Sequence, residues 1–372
     1  METDLYGYPH VLLGFMAFFV FIIGLVGTVG NLLAAMALLY SPKLRQRSAT
    51  LFMVNLPACL IPVCALGMPM FGAACIQRIY YGSVMLPNWV CVMFFVIGLI
   101  LGQVHIHTIC ALAFNRLIAV LLPAWYKRLM KPTIIKLYLI GLWVYSALLW
   151  LPLACRLGGS LRYVPEEMMV SLDEKSASRA LKGLHVFITY ILPILFTSIC
   201  YLIMYVKVRF IRRKTRTSRA SVVAMTKSNI IRQWDDHVTR TILVIYLVLI
   251  TCSVPHLIIH VLQLYNKHQV TWLLLHAVFW LQFCLDPIVY VIFSRVYRRA
   301  TLECLGNLFP NLGIFQVNVV DSRKSEEKSN LRVNNLISSP GSSKHLRPPP
   351  QKIEFSSEVH RDLLDPKNVA RS

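Results

Sequence analysis

Two ionisable groups and a set of histidines stand inside runs that otherwise carry no charge. Arg116 closes the uncharged run Ile79–Asn115, and Asp286 interrupts the run His268–Ser294. A charged side chain in lipid is costly unless it faces a protein interior or the aqueous boundary, so both are functional candidates. Arg116 also reads as a basic residue at a helix end. Asp286 can be charged, or neutral and hydrogen-bonded beside Asn31; both readings are open. Ser253, His256, His260 and Gln263 recur three and four residues apart and share one helix face. His185 and Thr189 form a second such pair, and His276 stands at comparable depth. Gly98 and Gly102 leave space opposite, with Gln103 nearby. Imidazoles so placed can bond a ligand, be satisfied singly inside a bundle, or coordinate a metal. Ring orientation decides among the three. His105 and His107, two residues apart, cannot both face a packed side.

The elements that position these groups follow from composition. The chain is 56% hydrophobic and only 15% charged, against roughly 25% charged in a soluble domain. Uncharged runs at Leu5–Pro42, Ser48–Gln77, Ile79–Asn115, Leu137–Cys155, Gly183–Val206 and Thr241–Asn266, with the run around Asp286, make seven. About 20 apolar residues cross the hydrocarbon core as a helix, so an all-α membrane protein with seven transmembrane helices is expected. The first run is too long, and lacks the basic flank, for a cleavable signal peptide. Lys and Arg are sparse before the first helix and after the second and sixth, whereas ten fall in Lys207–Arg240. That asymmetry predicts a plasma-membrane orientation with the N-terminus outside and the tail inside. The net charge of +21 then belongs to a membrane face and its acidic lipids, not to nucleic acid. Domain boundaries are expected at 1–10 for an extracellular N-terminus, 11–306 for the membrane domain and 307–372 for a disordered cytoplasmic tail. Phe293, Val296, Tyr297, Ala300 and Cys304 recur at helical spacing with Arg295, Arg298 and Arg299 between them. They predict a short amphipathic helix on the inner leaflet, with Cys304 as a palmitoylation candidate. The ten cysteines show no zinc or redox spacing.

The frame around Arg116 reads Asn115-Arg116-Leu117, then Pro123 and Tyr126. It resembles the end of the third helix in rhodopsin-like G-protein-coupled receptors, with Asn-Arg-Leu in place of Asp-Arg-Tyr. Further likenesses are Gly30-Asn31 in helix one, Asn55-Leu56 in helix two, Trp143 with Pro152 in helix four and Pro193 with Tyr201 in helix five. Asp286-Pro287-Ile288-Val289-Tyr290 closes helix seven. Two signatures depart from the family. Leu60 replaces the sodium-binding aspartate, with His105 and Gln282 at other positions of that shell, and Ser253 replaces the toggle tryptophan before Pro255.

The resemblance implies a receptor coupling an extracellular ligand to heterotrimeric G proteins, with arrestin and receptor kinases as further partners and neither enzymatic activity nor a cofactor. It assigns switch roles to Asn115, Arg116, Tyr201, Asp286, Pro287 and Tyr290. Asp235, twenty residues before Pro255, reads either as a lock on Arg116 or as a helix cap. It implies a Cys91–Cys155 disulfide, with Cys75 as a rival partner because Cys155 ends helix four. Gly98 stands where amine receptors carry an aspartate, and Trp280 where opsins carry the Schiff-base lysine, so neither chemistry is available. Thr215, Ser218 and Ser221 follow arginines as kinase-type sites. A signalling-silent scavenger and, from another class, a transporter are the rival readings; no internal repeat supports the latter.

Overall fold

The computed structural model of the chain describes residues 3–45, 49–157, 159–172, 179–217, 237–262, 264 and 268–309. Seven long helices form the bundle: α1 (His10–Tyr40), α2 (Ala49–Tyr81), α3 (Asn88–Leu121), α4 (Pro132–Ala154), α5 (179–217), α6 (His237–Val261) and α7 (Gln269–Phe293). Each is long and apolar enough to cross a bilayer. Their outward faces carry large exposed apolar side chains, Phe18, Leu137, Leu148, Leu202 and Ile258 among them, which only lipid can cover. The protein is a multi-pass membrane protein. An eighth helix, α8 (Arg295–Leu308), follows α7 after a break at Ser294, whose hydroxyl accepts the Tyr297 N–H at 3.3 Å. Tyr297 is buried against Tyr290, and Asn307 donates to the Tyr40 hydroxyl at 2.6 Å, so α8 is fastened to α7 and α1.

Close helix packing is visible where α1 carries small residues. A methyl group on Gly27 would lie 2.6 Å from Cys64 Sγ, and one on Gly30 would lie 2.8 Å from Pro287 Cγ. These glycines let α2 and α7 press onto α1. In α2, Pro57 and Pro62 lie inside the helix, and a π-helical turn, Val63–Gly67, follows directly. Proline withholds a backbone donor, and the wider turn absorbs the mismatch. Beyond it, Met68–Tyr81 packs on α1 and makes little contact with α3.

Three features depart from the reading of the sequence. First, α2 continues past Cys75 to Tyr81 and stops at Gly82, whose φ of 71° is a left-handed helix end. The added turn carries Arg78. Second, the connection after α4 contains a two-stranded antiparallel hairpin, β1 (Leu161–Val164) and β2 (Met169–Leu172), with Leu161 opposite Leu172. The all-α expectation omitted it. Third, the expected Cys91–Cys155 bridge is not formed, and Cys75 does not replace Cys155: all ten cysteines are free. Cys155 caps α4 through its N–H and stays exposed, while Cys91 packs with Trp150 and Leu153.

Hydrogen bonds hold the hairpin instead. Tyr163 N–H donates to Asn88 Oδ1 at 2.7 Å, Arg78 Nη1 donates to the Pro165 carbonyl at 2.6 Å, and the Tyr8 hydroxyl donates to the Glu166 carbonyl at 2.8 Å. Asp4 pairs with Arg78 at 2.5 Å with both side chains fully buried, and its other oxygen accepts the Tyr6 and Tyr8 N–H groups. The N-terminal segment is thereby stapled over the hairpin end of the bundle.

Candidate functional site

A cavity of about 440 Å³ opens beneath the hairpin, walled by α2, α3, α5, α6 and α7. Its size lies within the range of small-molecule sites. Gly98 and Gly102 line it, and a methyl group on either would meet open space. His185, Ser253, His256, His260, His276 and Trp280 line it too, so eight of the eleven residues singled out in the sequence converge.

Gln103 and Thr189 do not line it. The Gln103 side-chain Oε1 accepts the Trp150 indole N–H at 2.5 Å in the packed interior, and Thr189 is buried in the π-helical turn of α5. Gln263 lies outside the described residues. Walls that no charge or periodicity marked come from Phe71, Phe94, Phe95, Phe279 and the hairpin itself.

The histidines are engaged with each other and with aromatic rings. His256 Nε2 and His276 Nδ1 are 3.1 Å apart, one donating and the other accepting. His256 stacks between Trp272 at 4.7 Å and Phe279 at 4.9 Å, and His276 stacks on Phe71 at 5.9 Å. Among the described residues, no group of three His, Cys, Asp or Glu side chains is placed to hold a metal ion.

Below the cavity the polar groups of the core form short relays. Ser253 Oγ donates to Gln282 Oε1 at 3.0 Å, joining α6 to α7. One turn further along α7, Asp286 Oδ2 meets His105 Nε2 at 2.9 Å, both side chains nearly fully buried. This corrects the placement of Asp286 beside Asn31. Asn31 Nδ2 instead donates to the Gly27 and Phe283 carbonyls, at 2.8 and 3.0 Å. The reason is local: Pro287 has no N–H for the carbonyl four residues before it, which is Phe283, and Asn31 fills that vacancy. His107, on the other side of α3, turns to Tyr145 and bonds its own helix at Gln103 O. Asn55 ties three helices, donating to Thr108 Oγ1 at 2.8 Å and accepting from Trp143 Nε1 at 3.0 Å.

At the α8 end, Arg116 is half-buried at the last turns of α3, near enough to Tyr201 on α5 to act on it electrostatically. The hydroxyls of Tyr201 and Tyr290 are buried and make no hydrogen bond among the described residues. Tyr201 stacks on Tyr246 of α6 at 5.7 Å. Asn115 is fully buried, and its side-chain Oδ1 accepts the Tyr126 hydroxyl at 3.3 Å. Asp235, Ser218 and Ser221 lie outside the described residues. Cys304 is buried on α8, and burial pushes its thiol pKa up, so the acylation expected there meets a shielded thiol.

Comparisons with known proteins agree with this arrangement. The model of a family described as 7 transmembrane receptor (rhodopsin family) matches residues 30–290. "Protein trapped in endoderm-1" of Drosophila melanogaster is 25% identical over 309 residues, covering 79% of this chain and 78% of that protein. "Somatostatin receptor type 4" of Rattus norvegicus is 23% identical over 203 residues, 52% of this chain and 49% of the rat protein.

Proposed function

The chain belongs to the rhodopsin family of seven-transmembrane receptors, and from that premise we propose that it transmits occupancy of the hairpin-end cavity to heterotrimeric G proteins at the α8 end. The hairpin end faces the cell exterior and the protein resides in the plasma membrane. Arrestin and receptor kinases act on the third cytoplasmic loop and tail.

The observation that carries the reading is the state of the α8 end. Arg116 stands beside Tyr201, and the buried hydroxyls of Tyr201 and Tyr290 have no hydrogen-bond partner among the described residues. An unsatisfied buried hydroxyl loses free energy, so this mouth is stable only until a rearrangement supplies partners. An outward swing of α6 releases Arg116 toward Tyr201 and Tyr290 and opens a cleft for a G-protein helix. A ligand favours that state only by binding it better than the closed one. The route from the cavity is short: Ser253 contacts ligand and bonds Gln282, and Asp286, Pro287 and Tyr290 follow on the same helix. Asp235 is the proposed inactive-state partner of Arg116.

The test is nucleotide exchange on a purified G protein by the receptor in lipid nanodiscs. Arg116→Ala should remove exchange while surface expression is retained. Undiminished exchange in that variant sinks the coupling mechanism.

A further inference from the structure

The cavity carries a chemical signature that narrows its ligand. Among its described lining residues there is no Asp, Glu, Lys or Arg. The ion pair in its roof, Asp4 with Arg78, neutralises itself. An ammonium, phosphate or carboxylate entering here would be stripped of water with no countercharge to meet it. The densest group of polar atoms is on one wall, where Ser253, His256, His260 and His276 stand on α6 and α7, with His185 and Tyr190 beside it on α5 and Tyr163 and Ser171 in the roof. The opposite wall, from α2 and α3, is apolar: Leu66, Met70, Phe94, Ile97 and Leu101. A molecule matching both walls has an apolar body and one hydrogen-bonding end.

Access has an equally clear geometry. The hairpin forms the roof through Tyr163, Met168 and Val170, and Tyr8 and Arg78 staple it to the N-terminal segment and α2. On the side, α2 packs on α1 beyond its π-helical turn and makes little contact with α3, which leaves a gap. Leu66, 60% exposed, and Phe94 and Ile97, 39% and 44% exposed, flank that gap and also line the cavity. Gly67 and Gly98 face open space there.

We propose that the cavity takes an uncharged amphiphile, a lipid-like molecule with a hydroxyl or carbonyl head, which enters sideways from the bilayer between α2 and α3. The head bonds the imidazoles of α6 and α7, and the chain lies toward the gap. This rests on the cavity's being the ligand site of the receptor.

The experiment measures saturable binding of a tritiated long-chain monoacylglycerol to the receptor in phosphatidylcholine nanodiscs, with no G protein present. Competitors are the fatty acid, alkylammonium and alkyl phosphate of the same chain length. The neutral probe should saturate, and each charged analogue should compete at least about tenfold more weakly. Gly98→Phe and Gly102→Leu, which grow into open space and spare the fold, should each abolish the site. Gly67→Leu should slow association several-fold and leave the equilibrium affinity unchanged. Absence of saturable binding by the neutral probe, a charged analogue that binds as well or better, or full binding in both cavity-filling variants overturns the ligand class. An unchanged association rate in Gly67→Leu overturns the lateral route. Because binding is read without a G protein, either failure leaves the exchange result with Arg116→Ala to judge the coupling separately.

Discussion

His105 and Asp286 offer the sharpest energetic test of the core. Their atoms meet at 2.9 Å with side chains only 3% and 4% exposed, so neither group has water to fall back on. Removing one partner strands the buried polar atom of the other, which costs about 1–3 kcal/mol. At about 2 °C per kcal/mol for a chain of this size, His105→Leu should lower Tm by roughly 2–6 °C. Asp286→Asn keeps a neutral hydrogen bond to the imidazole, so its loss should stay near about 1 kcal/mol and within roughly 3 °C. The double replacement with leucine at both positions removes both polar groups together, and such swaps are often neutral. Thermal unfolding of the detergent-solubilised receptor ranks the three. The reasoning also has an ionic consequence. His105 holds the one carboxylate of the α7 core, Leu60 supplies none, and a sodium ion gains little for its dehydration. Exchanging sodium for choline at equal ionic strength should therefore leave Tm unchanged. A His105→Leu shift no larger than that of the apolar double variant, or a sodium-specific stabilisation, would refute the pairing argument.

Two further predictions concern backbone satisfaction and thiols. Asn31→Ala strands the Phe283 carbonyl and should cost about 1–3 kcal/mol, but less in a Pro287→Ala background, where the restored N–H at 287 reaches that carbonyl; a double-mutant cycle on unfolding showing no coupling would contradict this account. With all ten cysteines free, dithiothreitol should leave Tm unchanged, and maleimide should label exposed Cys155 far faster than buried Cys304 with its raised thiol pKa; a reduction-sensitive Tm or equal labelling would argue for a bridge or an open α8.

The sequence by itself determined the seven spans and the amphipathic helix after them, because the bilayer imposes a length and a hydropathy that each run must meet alone. It also marked most of the cavity, since Ser253, His256 and His260 lie on one face by helical spacing and Gly98 and Gly102 are small wherever they pack. What depended on distant partners was not legible there. The sequence offered Asn31 as the neighbour of Asp286; His105, 181 positions away, holds it instead, while Asn31 bonds the carbonyl that Pro287 leaves open. Arg78 read as one more loop charge, yet it sits fully buried on an extra turn of α2, paired with Asp4 and bracing the hairpin. The hairpin and the unbridged Cys91 share that origin: a roof held by Asn88, Arg78 and Tyr8 needs no disulfide, and those bonds exist only once the N-terminal segment, α2 and the loop after α4 meet. Periodicity is a property of one helix; a hydrogen-bond partner is a property of the whole packed bundle.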